Sequence, residues 1–143
     1  MPSIFYIRCM KYVSSFLITL SLALTACWEN IDERVAREAH EYTRNHCPMW
    51  VDACTRLDST TYEMASRTYC YHYSVHGQMD TPQNYAFMKE HADMIHDAMV
   101  ETAANTPDLS ETIKARITLA YQYRSASDGQ LKHSILVVPD DFD

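Results

Sequence analysis

The apolar run from Val13 to Ala26 most strongly limits what this chain can fold into, because it predicts that residues 1–26 are absent from the mature protein. The run carries no charge and follows Arg8 and Lys11. It is shorter than the roughly 20 residues that a membrane-spanning helix needs. A basic start, a short apolar middle and small residues before a cleavage site are typical of a secretory signal peptide.

The end of this run, Leu24-Thr25-Ala26-Cys27, resembles the bacterial lipobox. The resemblance implies cleavage before Cys27 and attachment of several acyl chains to Cys27, which together hold a protein stably on a membrane. Trp28 at the next position implies the outer membrane, where the cell has one. The alternatives are an ordinary signal peptide or a buried helix. Met10-Lys11 also resembles a lipoprotein start more closely than Met1, so we expect residues 1–9 to be untranslated.

The residues after the predicted signal peptide are strongly acidic. Residues 27–143 keep 10 of the 12 Lys and Arg and all 19 Asp and Glu, which gives a net charge of −9 over 117 residues. Nucleic-acid binding draws on surplus Lys and Arg, so nucleic acid is not an expected partner. The same balance disfavours adhesion to anionic lipid, which leaves the acyl chains as the membrane attachment. This length predicts a single domain over 27–143.

Two helices are predicted from their end signals and apolar spacing. Asn30 and Glu33 have the spacing of a capping box for a helix that starts at Ile31, and Pro48 ends that helix. Thr81-Pro82 is a favoured helix start, and apolar residues then recur at steps of three and four to about Ala104.

Strands are predicted where apolar and polar residues alternate. Residues 68–75 and 117–124 each contain a Tyr-x-Tyr pattern with a period of two. Residues 50–63 are predicted to be one strand or two pieces of one, and Asp128-Gly129 predicts a hairpin before a last strand in residues 131–138. The acidic residues 140–143 are expected to be solvated.

These elements predict an α+β fold in the order α-β-β-α-β-β. Helices packed on one face of an antiparallel sheet, in two layers, bury the tyrosine faces and both apolar helix stripes together. Each αββ half contains one Tyr-x-Tyr strand, which is compatible with a distant duplication.

Three cysteines remain after Cys27, in an oxidising compartment. Cys47, Cys54 and Cys70 permit one disulfide, and the sequence does not choose among the three pairings. Buried thiols are the alternative. Cys70 and His72 share one face of a strand, and such a pair chelates zinc when other ligands join it. Ordinary residues on a polar sheet face are the more economical interpretation, so we predict no metal and no cofactor.

The tyrosines form another feature of the mature chain, because five of them lie on the two alternating strands. A buried ring whose hydroxyl reaches water or a partner is typical of tyrosine. Packing beneath the helices explains the pattern, and an aromatic recognition surface is the alternative.

Residues 47–60 resemble a block found in small bacterial envelope proteins without an assigned activity. The matching positions have the pattern P-x-x-V-D-x-x-T-R-L-D-S, from Pro48 to Ser59. The resemblance implies the fold and the compartment, and it implies no activity. Asp52, Arg56 and Asp58 fall on one parity of an extended strand, where they are either a charged row that pairs across the sheet or a binding patch.

No catalytic motif is present: phosphate-cradling loops are excluded by a content of two glycines, and no Gly-x-Ser-x-Gly occurs. We therefore predict a non-enzymatic, lipid-anchored binding module of the bacterial envelope with an envelope protein as partner. One alternative is a protective lipoprotein that inhibits a toxin or a phage component. Another is a metal-dependent enzyme that uses Cys70 and His72.

Overall fold

The structure is a computed structural model and describes residues 30–143. The signal peptide, the lipobox and Cys27 lie outside the described residues. The described part has an α+β fold with four α-helices and one five-stranded sheet, and Ile31–Asp143 form one compact unit. The helices are α1 (Ile31–His46), α2 (Pro82–Glu90), α3 (Ala92–Ala104) and α4 (Ser110–Lys114). The strands are β1 (Met49–Trp50), β2 (Thr55–Glu63), β3 (Thr68–Val75), β4 (Thr118–Ser125) and β5 (Leu131–Val137).

The sheet is mixed, which corrects the prediction of an antiparallel sheet. The strands lie in the order β1-β2-β3-β4-β5, and all neighbours are antiparallel except β3 and β4, which are parallel. Residues 76–117 contain three helices and return the chain to the end of the sheet at which β3 begins, as a helical crossover does. The short strand β1 and the three helices of this crossover also change the predicted element order.

The parallel register places the two Tyr-x-Tyr strands side by side. Tyr71 is opposite Tyr121 and Tyr73 is opposite Tyr123. We call the side of the sheet that carries these rings the tyrosine face. The alternating residues form the opposite face, which includes Cys70, His72, Gln122 and Arg124.

Helix α1 docks on the β2 edge of the sheet through two threonines. The Thr60 backbone N–H donates to Thr43 Oγ1 at 2.7 Å, and that hydroxyl donates to the Thr60 carbonyl at 2.9 Å. The buried Thr60 hydroxyl donates to the Ala39 carbonyl at 2.8 Å. Because an edge strand exposes unpaired backbone groups, these bonds both fix α1 and satisfy part of the edge.

The start of α1 is tied to the turn between β2 and β3. Asp32 Oδ1 accepts from the Tyr62 hydroxyl at 2.5 Å and from Arg67 Nε at 3.0 Å. Tyr62 lies near the end of β2, and Arg67 closes the turn with a φ of 49°. The amino-terminal end of α1 therefore lies beside this turn.

The second predicted helix is divided at His91, whereas the sequence predicted one helix to Ala104. His91 has φ −104° and ψ 25°, and its ring Nδ1 lies 3.0 Å from the Phe87 carbonyl. The His91 ring also stacks on the Phe87 ring, with centroids 4.1 Å apart. The His91 backbone N–H donates to the same Phe87 carbonyl at 3.0 Å, so the ring and the backbone share one acceptor at the break.

The core lies between α3 and strands β4 and β5. Leu119 and Val137 are fully buried and pack with Tyr121, Ile135 and Ala103. Partly buried side chains of α3 complete the cluster: Ile95, Met99 and Val100. The apolar stripe predicted on the second helix thus packs against β4 and β5, and no described helix is long and apolar enough to cross a membrane.

The carboxyl-terminal segment is solvated only in part: Asp140 and Asp143 are exposed, as expected, whereas Asp141 and Phe142 are partly buried. Phe142 packs against the core, and Asp141 Oδ2 lies 3.2 Å from His96 Nε2. Asp140 and Asp143 pair with Arg116 at 2.5 and 3.4 Å. The segment contains an aromatic ring and three carboxylates that find partners, so its acidity alone is a poor guide to its position.

Candidate binding site on the tyrosine face

The tyrosine rings form two stacked pairs across β3 and β4. The Tyr71 and Tyr121 centroids are 5.1 Å apart with planes 6° apart, and those of Tyr73 and Tyr123 are 5.1 Å apart with planes 14° apart. Such separations lie in the range in which aromatic pairs attract. The tyrosines were predicted to pack beneath the helices, and the rings do form the surface on which the helices lie.

Burial keeps these phenols neutral. It raises the pKa of Tyr123 to about 12, and it raises the pKa values of Tyr71 and Tyr73 further above their ordinary value. Neighbouring phenols add to the shift because ionising one ring disfavours ionising the next. At neutral pH the rows are thus an uncharged aromatic floor whose hydroxyls are able to donate hydrogen bonds.

The helices contact the two sides of this floor and leave depressions between them. Helix α1 packs on β2, whereas α2 and α3 pack on β5. The first depression, which we call the Tyr42 pocket, has a volume of about 350 Å³. Tyr69 and Tyr71 form its floor, and its walls come from α1 and from residues 106–112. Tyr42, at 36% exposure, stands at its side.

The second depression, which we call the Phe87 pocket, lies at the other end of the rows and has a volume of about 420 Å³. Val75 and Tyr123 form its floor, and Phe87 stands at its side with 52% of its surface exposed. The remaining lining is mostly apolar and comes from residues 52–55 and from Met79, Asn84 and Met88. Met49 and Val51, near β1, are also exposed. Trp50 is opposite Arg56 and contacts the His76 ring, so it belongs to the opposite face of the sheet.

Carboxylates stand at both pockets. Glu38 and Asp108 line the Tyr42 pocket, and Asp52 lines the Phe87 pocket. Asp52 Oδ1 accepts the backbone N–H groups of Cys54 at 2.8 Å and Thr55 at 2.7 Å. These bonds lower the pKa of Asp52, so this carboxylate is charged at neutral pH. An apolar ligand with basic flanks matches such a site.

The predicted patch of Asp52, Arg56 and Asp58 is divided in the structure. Arg56 Nε and Asp58 Oδ1 form an ion pair at 2.6 Å on β2, and the Arg56 guanidinium lies 5.7 Å from the Trp50 ring centroid. Asp52 lies before β2 and caps a turn of the backbone there. The three residues do not form one row, because the chain bends at residues 51–54 and β2 carries a bulge after Leu57.

Cys47, Cys54 and Cys70 are partly buried, and no disulfide joins any two of them in the described residues. Burial raises the pKa values of the Cys47 and Cys70 thiols, which makes both less reactive. The register places Cys70 opposite Thr61, whereas the Cys54 carbonyl bonds to the His76 N–H at the far end of β3. Cys70 and His76 lie six residues apart along this strand, so Cys54 is roughly 20 Å from Cys70. That distance excludes the Cys54–Cys70 pairing, and the two pairings of Cys47 stay predictions.

The described residues do not provide a set of ligands for the metal site considered at Cys70 and His72. Cys70 and His72 do share the opposite face, and His72 Nε2 lies 2.8 Å from the Thr61 hydroxyl. Within residues 30–143 no group of three or more His, Cys, Asp or Glu side chains is placed to hold a metal ion.

Sequence reasoning missed the Phe87 pocket. The predicted helix stripe of Tyr85, Met88 and Ala92 excludes Phe87, which occupies another face of the helix. An aromatic residue off the apolar stripe was the available signal.

Asp80 was also missed, and it fixes the geometry beside the Phe87 pocket. Its carboxylate accepts from the Tyr85 hydroxyl at 2.7 Å, from the Ser125 hydroxyl at 3.0 Å and from the Ser127 N–H at 2.9 Å. The Ser127 hydroxyl is a further donor. These bonds lower the pKa of Asp80 strongly and tie the start of α2 to the β4–β5 turn.

The chain belongs to the family described as Domain of unknown function (DUF8479), whose model matches residues 30–132. No curated protein sequence matches the chain. The fold is similar to that of a Pseudomonas aeruginosa protein described as secreted, with a TM-score of 0.62 and 10% identity over 81% of this chain and 100% of that one.

Two further structures of similar fold are pilotins of type II secretion systems. The pilotin AspS of Vibrio cholerae has a TM-score of 0.53 and 14% identity, over 77% of this chain and 90% of that one. The pilotin EpsS of Vibrio vulnificus has a TM-score of 0.54 and 9% identity, over 78% of this chain and 91% of that one. At these identities the likeness shows a shared fold.

Proposed function

We propose that this chain is a non-enzymatic, lipid-anchored module of the bacterial envelope that binds a segment of a partner protein in the Phe87 pocket. The lipobox-like end at Cys27 supports the anchor. The fold that it shares with two pilotins and a secreted protein supports the envelope as its compartment and a protein as its partner.

The observation that carries the proposal is the apolar pocket beside the stacked tyrosines. Its floor is rigid because Tyr123 is stacked on Tyr73 and Val75 is buried. Its rim carries two exposed apolar side chains, Phe87 and Met79, that line the same depression, and contiguous exposed apolar surface is typical of interaction sites. A preformed floor with exposed apolar rims is suited to an apolar segment of a partner.

The negative charge of the domain indicates which kind of partner segment binds in the Phe87 pocket. Asp52 is ionised at the pocket wall, and residues 27–143 carry a net charge of −9. A segment with Lys or Arg beside its apolar residues gains attraction on approach and places its charges near carboxylates. The occupant is therefore an apolar segment with basic flanks from an envelope protein.

Site-specific photocrosslinking in intact cells tests this proposal. A photoreactive amino acid replaces Phe87 in one strain and Met94 in a second strain. Both side chains are exposed, at 52% and 59%, and Met94 lines neither of the pockets described above. We expect one crosslinked envelope protein at position 87 and none at position 94, and peptide mapping places the crosslink in an apolar segment with basic flanks.

A charge substitution supplies the second arm. Phe87→Asp introduces a carboxylate at the pocket rim, so the partner is lost from the complex, whereas Met94→Asp retains it. Equal retention by both variants, or identical crosslinked products at positions 87 and 94, contradicts the proposal. An inhibitor of a toxin or phage component would use the same surface, and the identity of the crosslinked protein separates the two functions.

A further inference from the structure

We infer that the turn between β2 and β3, with Met64 in it, is the part of the domain that contacts the membrane surface. The Phe87 pocket then faces away from the bilayer. This inference rests on the lipid anchor of the proposed function and adds an orientation to it.

The reach of the chain limits which part of the domain lies near the anchor. Four residue steps separate Cys27 from Ile31, where α1 begins. A fully extended chain spans at most about 3.6 Å per residue. The start of α1 therefore lies within roughly 14 Å of the lipidated cysteine for any conformation of the intervening residues.

Hydrogen bonds place the β2–β3 turn at this same end. Asp32, in the first turn of α1, accepts from Tyr62 and from Arg67, which flank the turn on both sides. The turn between them exposes Met64, at 49% of its surface. Val138 is 38% exposed and follows β5 at the same end of the sheet, where Val137 is opposite Leu119. Two exposed apolar side chains thus lie at this end of the sheet.

The Phe87 pocket lies at the other end of the strands. Its floor residue Val75 ends β3, which begins at Thr68 next to the β2–β3 turn. Seven residue steps at about 3.3 Å each place these two ends roughly 23 Å apart. A domain that rests on the turn therefore presents the pocket to partners in the compartment, at a distance from the lipid surface.

Charge pairing at the anchor end predicts what kind of lipid contact this is. Arg67 pairs with Asp32, Arg116 with Asp140 and Asp143, and Lys114 with Glu111. These cations are already matched by carboxylates, so the turn has little surplus charge to attract anionic headgroups. The contact is apolar, through Met64 and the acyl chains, and it does not strengthen with anionic lipid.

Fluorescence quenching by labelled lipid tests the orientation on the lipidated protein. An environment-sensitive fluorescent amino acid replaces Ala65 in the β2–β3 turn in one variant and Ala126 in the β4–β5 turn in another. Both alanines are exposed and lie at opposite ends of the sheet. We expect nitroxide-labelled phosphatidylcholine in vesicles to quench the probe at position 65 several-fold more strongly than the probe at position 126.

Flotation of the same vesicles distinguishes a wrong orientation from a missing lipid anchor. Protein that floats but is quenched equally at both positions, or more strongly at position 126, overturns the orientation and leaves the anchor intact. Protein that does not float overturns the anchor and the orientation together. Adding phosphatidylglycerol should leave the quenching ratio unchanged, and Met64→Ser should reduce quenching at position 65. A ratio that rises with phosphatidylglycerol contradicts the apolar contact.

Discussion

The two faces of the sheet are built from the same strands and differ in almost every physical property. The tyrosine face carries stacked rings, contacts α1 and α3, and contains the buried Leu119, Ile135 and Val137. The opposite face alternates with it and exposes Thr61, Ser134 and Leu136. One face thus supplies most of the buried apolar surface, and it is also the face that leaves pockets between its helices.

This difference shows how stability and binding share one surface. The helices attach near the sides of the tyrosine face, where α1 bonds to Thr60 and α3 packs on Ile135. The stacked tyrosines lie between these contacts, and Tyr71 and Tyr123 line the two pockets. The aromatic floor is half-buried, and substitutions on the two faces should have different consequences.

The largest difference in the free energy of unfolding is expected between substitutions of two leucines on opposite faces of the sheet. Leu119 is fully buried in the tyrosine-face core, whereas Leu136 is 53% exposed. Leu119→Ala removes buried methyl groups and leaves a cavity, which should lower the free energy of unfolding by about 2–5 kcal/mol. Leu136→Ala should change it by less than about 0.5 kcal/mol. Urea denaturation of the soluble domain measures both, and equal losses would contradict the contrast.

A smaller difference in the free energy of unfolding is expected between substitutions of two adjacent threonines. Thr60→Val removes the hydroxyl that bonds to the Ala39 carbonyl and lies 3.2 Å from the Thr43 hydroxyl. Because buried polar groups then lose a partner, we expect a loss of about 1–3 kcal/mol in the free energy of unfolding. Thr61→Val is the matched control, since Thr61 is exposed on the opposite face. Hydrogen exchange in α1 should rise in the first variant alone.

The sequence predicts which residues of each strand share a face. It does not predict which strands pair with each other. Tyr-x-Tyr repeats with a period of two mark β3 and β4, and Pro48 and Thr81-Pro82 mark helix ends that the structure places within a residue or two. These signals are local. The parallel pairing of β3 with β4 depends on the path of residues 76–117, which no local pattern encodes.

The candidate site was less predictable because its parts are distant in sequence. Val75, Phe87 and Tyr123 meet only after the crossover is folded. The break at His91 comes within a continuous run of apolar spacing, so periodicity does not reveal it. Asp52, Arg56 and Asp58 were found as chemically notable residues, but a turn and a bulge separate them.

Alkaline pH should weaken the tyrosine face. Its tyrosines have raised pKa values, about 12 for Tyr123, whereas the unfolded chain releases these protons near the ordinary value of 10.0. The folded state then binds more protons, so stability that is present below pH 10 is lost as the pH rises toward 12. The urea midpoint should fall over this range, and it should fall less steeply in the double variant Tyr71→Phe, Tyr123→Phe. Equal slopes would show that other groups cause the loss.

The opposite face should respond to acid, with a smaller effect because its histidine is only half-buried. Burial and the Arg124 charge lower the pKa of His72 from 6.5, so the unfolded chain binds this proton first and stability is lost as the pH falls below 6.5. Arg124→Gln removes the repulsion and should move the His72 pKa, followed by NMR titration, back toward 6.5. The same variant should make acid unfolding less steep, because the proton then costs the folded state less. A His72 pKa that stays in place would assign the shift to burial alone and would remove the charge contribution from this face.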